Sequence, residues 1–245
     1  MWTPTALASE ARPGGGVVWR VVEDQVSAST RKLVDTLDEQ DMLESILEAN
    51  KPPVPQSATK LHYLLQTPFR YDAPYPVGSR FRRAGSTEGV FYASEQIRTA
   101  LAELAHYRMR FFNDSPDTPL PRNQQRLTVF SIAYQTQSQI DLTQKPFAQH
   151  QEQWMQSNDY STTQALADHA RTAKLDAIRY QSIRDVESSF NVALLTPSVF
   201  RSNSPLEQQT WFLYLSRLEA NFENTPSRKR YTFLPQELSL EDFIS

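Results

Sequence analysis

The chain has 245 residues, 39% hydrophobic and 22% charged, with a formal net charge of −3, which suits a soluble globule with a sizeable core. It has no Cys, so a thiolate zinc cluster, a disulfide framework, a redox CxxC pair and a Cys nucleophile are all excluded. Only six Gly occur, none after Gly89, and neither GxGxxG nor GxxxxGK[ST] is present, so a phosphate-bearing ligand would have to be held largely by Arg side chains.

In chain order, residues 1–15 read as a loose arm ending in Gly14–Gly16, followed by a strand at VVWRVV (17–22). From a cap at Ser29 or Thr30, the spacing of Leu33, Val34, Leu37, Met42, Leu43, Ile46 and Leu47 predicts an amphipathic helix stopped by Pro52-Pro53. Residues 16–60 thus form an N-terminal extension of one strand and one helix, packed on a domain spanning 61–245. In that domain LHYLLQTPFRY reads as extended, GVFYA as a short strand, and Ser94 as the cap of a helix of about four turns with Ile97, Ala100, Leu101, Leu104, Ala105 and Met109 inward. A Pro-rich loop at 114–122 leads to a buried strand at LTVFSIAY (127–134) and a Gln-rich stretch at 135–157. A helix over 161–174, strands at DAIRYQSIRD and NVALL, and a C-terminal hairpin complete the expectation of an α+β fold.

The four His, at 62, 106, 150 and 169, are scattered and form no HExxH, so no metal site is expected. With 25 basic and 28 acidic residues there is no broad basic footprint for nucleic acid, and no apolar run approaches the roughly 20 residues of a membrane span. The first residues lack the basic start and apolar core of a signal peptide, so the expected location is cytoplasmic. His106 and Tyr107 read as a packed or solvent-facing pair, Arg184-Asp185 as a structural ion pair, and Arg228-Lys229-Arg230 as a turn.

The segments SRF (79–81), GVFYAS (89–94), ALAE (100–103), AIRYQSIRD (177–185) and NVALL (191–195) carry more information through their order than singly. Over about 65–200 they make the chain resemble the RES domain family, named for its Arg, Glu and Ser. That resemblance implies an ADP-ribosyltransferase-like twisted sheet flanked by helices. It also implies a toxin of a RES–Xre toxin–antitoxin module that consumes NAD⁺ as substrate, by hydrolysis or with inorganic phosphate as co-substrate, and needs no separate cofactor. An Xre-type helix-turn-helix antitoxin is the implied partner, with homo-oligomers within the toxin–antitoxin complex.

By the resemblance, Arg80, Glu103 and Ser182 are the catalytic set, with Tyr92, Arg70 and Tyr71 contacting NAD⁺. Gly78-Ser79-Arg80-Phe81 stands where the family commonly has GGRWN. The chemistry suits these residue types. Breaking a nicotinamide–ribose bond develops oxocarbenium character that a carboxylate stabilises, arginines grip phosphate oxygens bidentately, and tyrosines wall an aromatic ring. Singly, each also has an ordinary structural reading: a solvated helix Glu, a half-buried strand Tyr, a loop Arg, a turn Ser. Two rival functions are a transferase that moves ADP-ribose to a specific protein and a non-catalytic interaction module.

Overall fold

The computed structural model describes residues 2–24, 34–70, 78–187 and 189–240. Its elements are α1 (Pro4–Glu10), β1 (Arg12–Glu23), α2 (Leu37–Ala49), α3 (Tyr63–Gln66), β2 (Phe91–Ser94), α4 (Ile97–Asp114), β3 (Gln125–Asp141), α5 (Gln151–Trp154), α6 (Ser161–Thr172), β4 (Ala177–Gln181), β5 (Phe190–Leu194), β6 (Glu207–Leu215), β7 (Ala220–Asn224) and β8 (Lys229–Phe233). The fold is α+β: among the described residues eight strands form one mixed sheet in the order β1-β2-β5-β4-β3-β6-β7-β8, flanked by helices. Only β3 and β4 run parallel; the other pairs are antiparallel.

β3 is the spine. Along one side it pairs with β1 from Leu127 to Gln139, and along the other with β6 over Gln125–Ser131 and with β4 over Gln139–Asp141. β1 also meets β2 at a single register pair, Trp19 with Ser94. Strands β1, β2, β5, β4 and β3 therefore close on themselves, while β6–β8 extend as a wing. Inside the ring pack Val18, Phe91, Ala93, Phe130, Ile132, Val192 and Leu194. A second cluster joins α6 to the outer face of β4 and β5, and a third joins α4 to the β6–β8 wing.

The two-residue period of strands decides what the outer face offers. Tyr92 pairs with Ala193 and Ser94 with Asn191, while Ala193 pairs with Ile178 and Asn191 with Tyr180, so Tyr92, Ser94, Asn191 and Tyr180 share one face. The next residue of that parity beyond β4 is Ser182.

Several elements differ from the sequence reading. Residues 2–15 are not a loose arm: Thr3 caps α1, Leu7 is fully buried in the α6 cluster, and Gly14–Gly16 pair with Thr136, Gln135 and Tyr134 inside β1. The segment at 61–69 forms α3 and a 3₁₀ turn instead of a strand. α4 starts after Gln96, and Ser94 stays in β2 because its hydroxyl is taken by Asn191. α2 begins at Leu37 under a Thr36/Glu39 capping box; the proposed caps Ser29 and Thr30, with Leu33, lie outside the described residues.

Gly89, just ahead of β2, lies against the Pro68–Phe69 backbone; a Cβ there would collide with the Pro68 carbonyl oxygen and come within 2.6 Å of Phe69 Cα. Gly89→Ala is expected to destabilise by about 1–3 kcal/mol, lowering the melting temperature by roughly 2–4 °C per kcal/mol, as read by thermal denaturation.

Candidate active site

α4 crosses the outer face where β1 and β2 part, and one of its turns brings Glu103, half-buried, against the ends of β4 and β5. Its Oε1 accepts two hydrogen bonds, from Ser182 Oγ at 2.7 Å and from Asn191 Nδ2 at 2.6 Å. Asn191 is oriented in turn by Ser94, whose hydroxyl donates to Asn191 Oδ1 at 2.6 Å. With Oδ1 occupied, the amide must aim Nδ2 at the carboxylate. Ser94, Ser182 and Asn191 are each no more than 3% exposed, so water does not compete for these bonds. Among the described residues no hydrogen bond lands on Glu103 Oε2, and Glu103 lines the adjoining cavity.

That cavity measures about 800 Å³, within the range of small-molecule sites, and is lined by Arg80, Tyr92, Glu103, Tyr160, Tyr180 and Arg184 among others. Arg80 is held by a bond from Nη1 to the Trp154 carbonyl at 2.7 Å, with its guanidinium 4.7 Å from the centre of the Tyr160 ring. Arg184 is 4% exposed and donates to the Ser157 carbonyl at 3.0 Å and to the Tyr160 hydroxyl at 3.5 Å. Among the described residues neither arginine forms an ion pair, so two cations border the cavity without a carboxylate bound to them. A second chamber of about 790 Å³ shares His106, Arg110 and Arg184 with the first and is also lined by Ser182.

The aromatic walls are fixed by hydrogen bonds. The Tyr92 hydroxyl accepts from the Phe81 amide at 2.9 Å and shares a 2.9 Å bond with Ser79, tying β2 to the loop that presents Arg80. Burial pushes the Tyr92 phenol pKa up, and raises that of Tyr180 well above the usual range, with the Glu103 charge adding to the latter. Both phenols thus stay protonated at neutral pH. Gly78 allows the loop to approach closely, since a Cβ there would be 2.9 Å from Gln164 Nε2 and 3.0 Å from the Ala84 nitrogen.

Of the residues singled out in the sequence, Glu103, Arg80 and Tyr92 line one cavity, and Ser182 reaches it through Glu103. Arg70 stands apart: its Nε donates to the Pro52 carbonyl at 2.9 Å and its guanidinium pairs with Glu48 of α2 at 2.8 Å, outside the cavity lining. Tyr71 lies outside the described residues. Arg184 and Asp185 do not pair with each other as expected; Asp185 pairs with Arg98 and accepts from Thr99 Oγ1 at 2.7 Å, fastening the loop after β4 to the start of α4. That frees Arg184 to turn into the site. Among the described residues no group of three His, Asp or Glu comes together as a metal site, and no helix is long and apolar enough to cross a membrane.

A family model described as the RES domain matches residues 54–216. The chain belongs to the RES domain family. One solved structure, "Crystal structure of the M.tuberculosis MbcT-MbcA toxin-antitoxin complex", aligns with 95% of this chain and 96% of that chain at 10% identity and a TM-score of 0.44. No curated protein matches the chain. In this RES protein the matched segment begins after β1 and α2, yet β1 lends Trp19, Arg20 and Val21 to the cavity wall. The extension is thus part of the site.

Sequence reasoning missed Asn191, Ser94, Tyr160 and Arg184 as site residues. One signal was available for Asn191, the only polar side chain in the otherwise apolar NVALL strand.

His106, three residues after Glu103, is 8% exposed with Nδ1 2.8 Å from the Leu238 carbonyl. Burial, reinforced by Arg184, lowers its pKa to about 4. Because the folded value lies below the ordinary 6.5, the unfolded chain takes up the proton first, and stability is lost as pH falls from about 6.5 towards 4. Relative to His106→Gln, the wild type is expected to lose on the order of 2–3 kcal/mol over that window, measured by urea denaturation at pH 7 and pH 4.5.

Proposed function

We propose that this RES protein is the toxin of a toxin–antitoxin module and that it acts by cleaving the nicotinamide–ribose bond of NAD⁺. The observation that carries the reading is the Glu103 carboxylate, held at one oxygen by Ser182 and Asn191, in a cavity whose other wall carries the ion-pair-free cations of Arg80 and Arg184. A dinucleotide needs both features: cationic donors for its diphosphate, and a fixed negative charge beside the ribose whose C1″ becomes electron-poor as nicotinamide leaves.

In this reading Arg80 and Arg184 bind the diphosphate, while Tyr92 and Tyr180 wall the ring and keep bulk water from the reacting carbon. Glu103, with Oε1 saturated by two donors, presents Oε2 to a ribose hydroxyl and to the developing positive charge. The bonds from Ser182 and Asn191 hold the carboxylate in place before the reaction, so little reorganisation is needed in the transition state. The C1″–N bond breaks with its electron pair going to nicotinamide, which leaves neutral. Attack by water at C1″ yields ADP-ribose and a proton, and attack by inorganic phosphate yields ADP-ribose 1″-phosphate. No thiol is required, in keeping with a chain that has none. An Xre-type antitoxin that covers the cavity, and action in the cytoplasm, belong to the same proposal.

Purified protein is expected to consume NAD⁺ and release nicotinamide, followed by liquid chromatography, and Glu103→Ala to lower the rate by at least about 10²-fold. Ser182→Ala and Asn191→Ala, which leave the carboxylate but remove one donor each, are expected to retain intermediate rates. Equal release by wild type and Glu103→Ala would remove Glu103 from the mechanism, and no release by either would favour an interaction module. A labelled protein target without bulk NAD⁺ loss would point to a transferase. Mass analysis of the product with and without added phosphate separates phosphorolysis from hydrolysis.

A further inference from the structure

Hydrolysis at C1″ leaves one proton to be placed. The attacking water must give it up as the new C1″–O bond forms, and the group that takes it needs a basic lone pair in the same cavity. Among the residues lining the Glu103 cavity, Glu103 is the only carboxylate and His106 the only imidazole; the rest are arginines, tyrosines, and hydroxyl, amide or apolar side chains. Glu103 Oε1 is taken by Ser182 and Asn191, and in the NAD⁺ reading Oε2 is engaged with the ribose. That leaves His106.

The place of this imidazole suits the task. It follows Glu103 by three residues in α4, a spacing that puts two side chains on one helix face with Cβ atoms about 5–6 Å apart. Its Nδ1 lies 2.8 Å from the carbonyl oxygen of Leu238, which is itself fully buried. A carbonyl can only accept, so Nδ1 carries the hydrogen of the neutral ring and the lone pair is on Nε2. Among the described residues no hydrogen bond reaches Nε2. Burial, with the nearby Arg184 charge, keeps the ring neutral at pH 7. Although that makes it a weak base, the carboxylate that activates water in an inverting glycosidase is of a type that ordinarily titrates at about 4 as well. His106 also lines the second chamber with Ser182 and Arg184, which offers water a path to the ring while a dinucleotide fills the first.

We propose that His106 Nε2 is the general base of the hydrolytic branch. It accepts one proton from the water as the water oxygen bonds C1″ and the electron pair of the C1″–N bond leaves with nicotinamide; the imidazolium then returns the proton to solvent. This role rests on the NAD⁺ reading. An anionic nucleophile with no proton to lose, such as azide, does not need it.

The test compares the full chain with His106→Asn, whose side-chain amide can still donate to the Leu238 carbonyl, and with Glu103→Ala. NAD⁺ turnover in phosphate-free buffer is followed by liquid chromatography with mass detection, with and without sodium azide. His106→Asn is expected to form ADP-ribose at least about 10²-fold more slowly than wild type, and azide to restore nicotinamide release to within about tenfold, with ADP-ribosyl azide as the product. Glu103→Ala, which lacks the charge that assists bond breaking, is expected to stay slow in azide. His106→Gln should behave as His106→Asn does, so that one misfolded variant does not decide the outcome. A wild-type rate in both His106 variants overturns the proposal, and so does a loss in both that azide does not relieve. Azide rescue of Glu103→Ala overturns it by making Glu103 the base. Nicotinamide release by wild type only when phosphate is added overturns it by removing the hydrolytic branch, whereas no release under any condition overturns the NAD⁺ reading and this role with it.

Discussion

The arrangement of this RES domain depends on how one carboxylate is kept in a partly buried place. Taking a charge away from water is costly unless hydrogen bonds replace the lost hydration, and bonds to an ionised group contribute about 1.5–3 kcal/mol each. Glu103 receives two at one oxygen, from elements far apart in sequence: Ser182 beyond β4 and Asn191 on β5. Asn191 makes its bond only in the orientation that Ser94 of β2 imposes. The helix that carries Glu103 is therefore registered against three separate strands through a single carboxylate oxygen.

This registration needs the closed arrangement of strands. β2 is only four residues long and meets β1 at one pair, so its place is set by β5 on its other side. The same pairing that puts Ser94 opposite Asn191 puts Tyr92 opposite Ala193, and Tyr92 then fastens the Arg80 loop through its hydroxyl. A one-residue slip between β2 and β5 would turn both residues to the inner face. It would undo the carboxylate support and the cation placement together. Asp185 guards the remaining degree of freedom by tying the Ser182 loop to Arg98 and Thr99 in the first turn of α4.

Much of this was legible in the sequence where one residue type had to answer to one local pattern. The strands around Phe91, Val129, Ile178 and Val192, the long helix with Glu103 just off its apolar stripe, and the C-terminal strands all follow from periodicity and β-branched or aromatic content. What escaped was decided by tertiary partners. Ser94 has the look of a helix cap, and only the presence of Asn191 across the sheet keeps it in the strand. Arg184 and Asp185 are neighbours in sequence with opposite charges, yet they lie in the bend after β4, where Arg184 turns to the Ser157 carbonyl and Asp185 to Arg98. Arg70 beside Tyr71 read as a ligand grip, but its guanidinium is spent on Glu48 and the Pro52 carbonyl. Leu7 looked like part of a tail because α1 is too short to show a period, though its side chain is fully buried.

The scarcity of glycine now has a structural counterpart. A glycine-rich phosphate loop works by exposing several backbone N–H groups at once, which this chain cannot do. Here Gly78 and Gly89 serve close packing: one lets the Arg80 loop lie against Gln164 and Ala84, the other lets the approach to β2 lie against Pro68 and Phe69. The donors that face the cavity are guanidinium groups, each aimed by a backbone carbonyl and both sharing Tyr160, through its ring for Arg80 and its hydroxyl for Arg184. A backbone cradle has a geometry fixed by the chain, whereas two arginines on a common tyrosine depend on side chains from three segments keeping their places. The price of that solution is a more tightly braced surrounding, and the hydrogen-bonded frame around Glu103 and Tyr92 supplies the bracing.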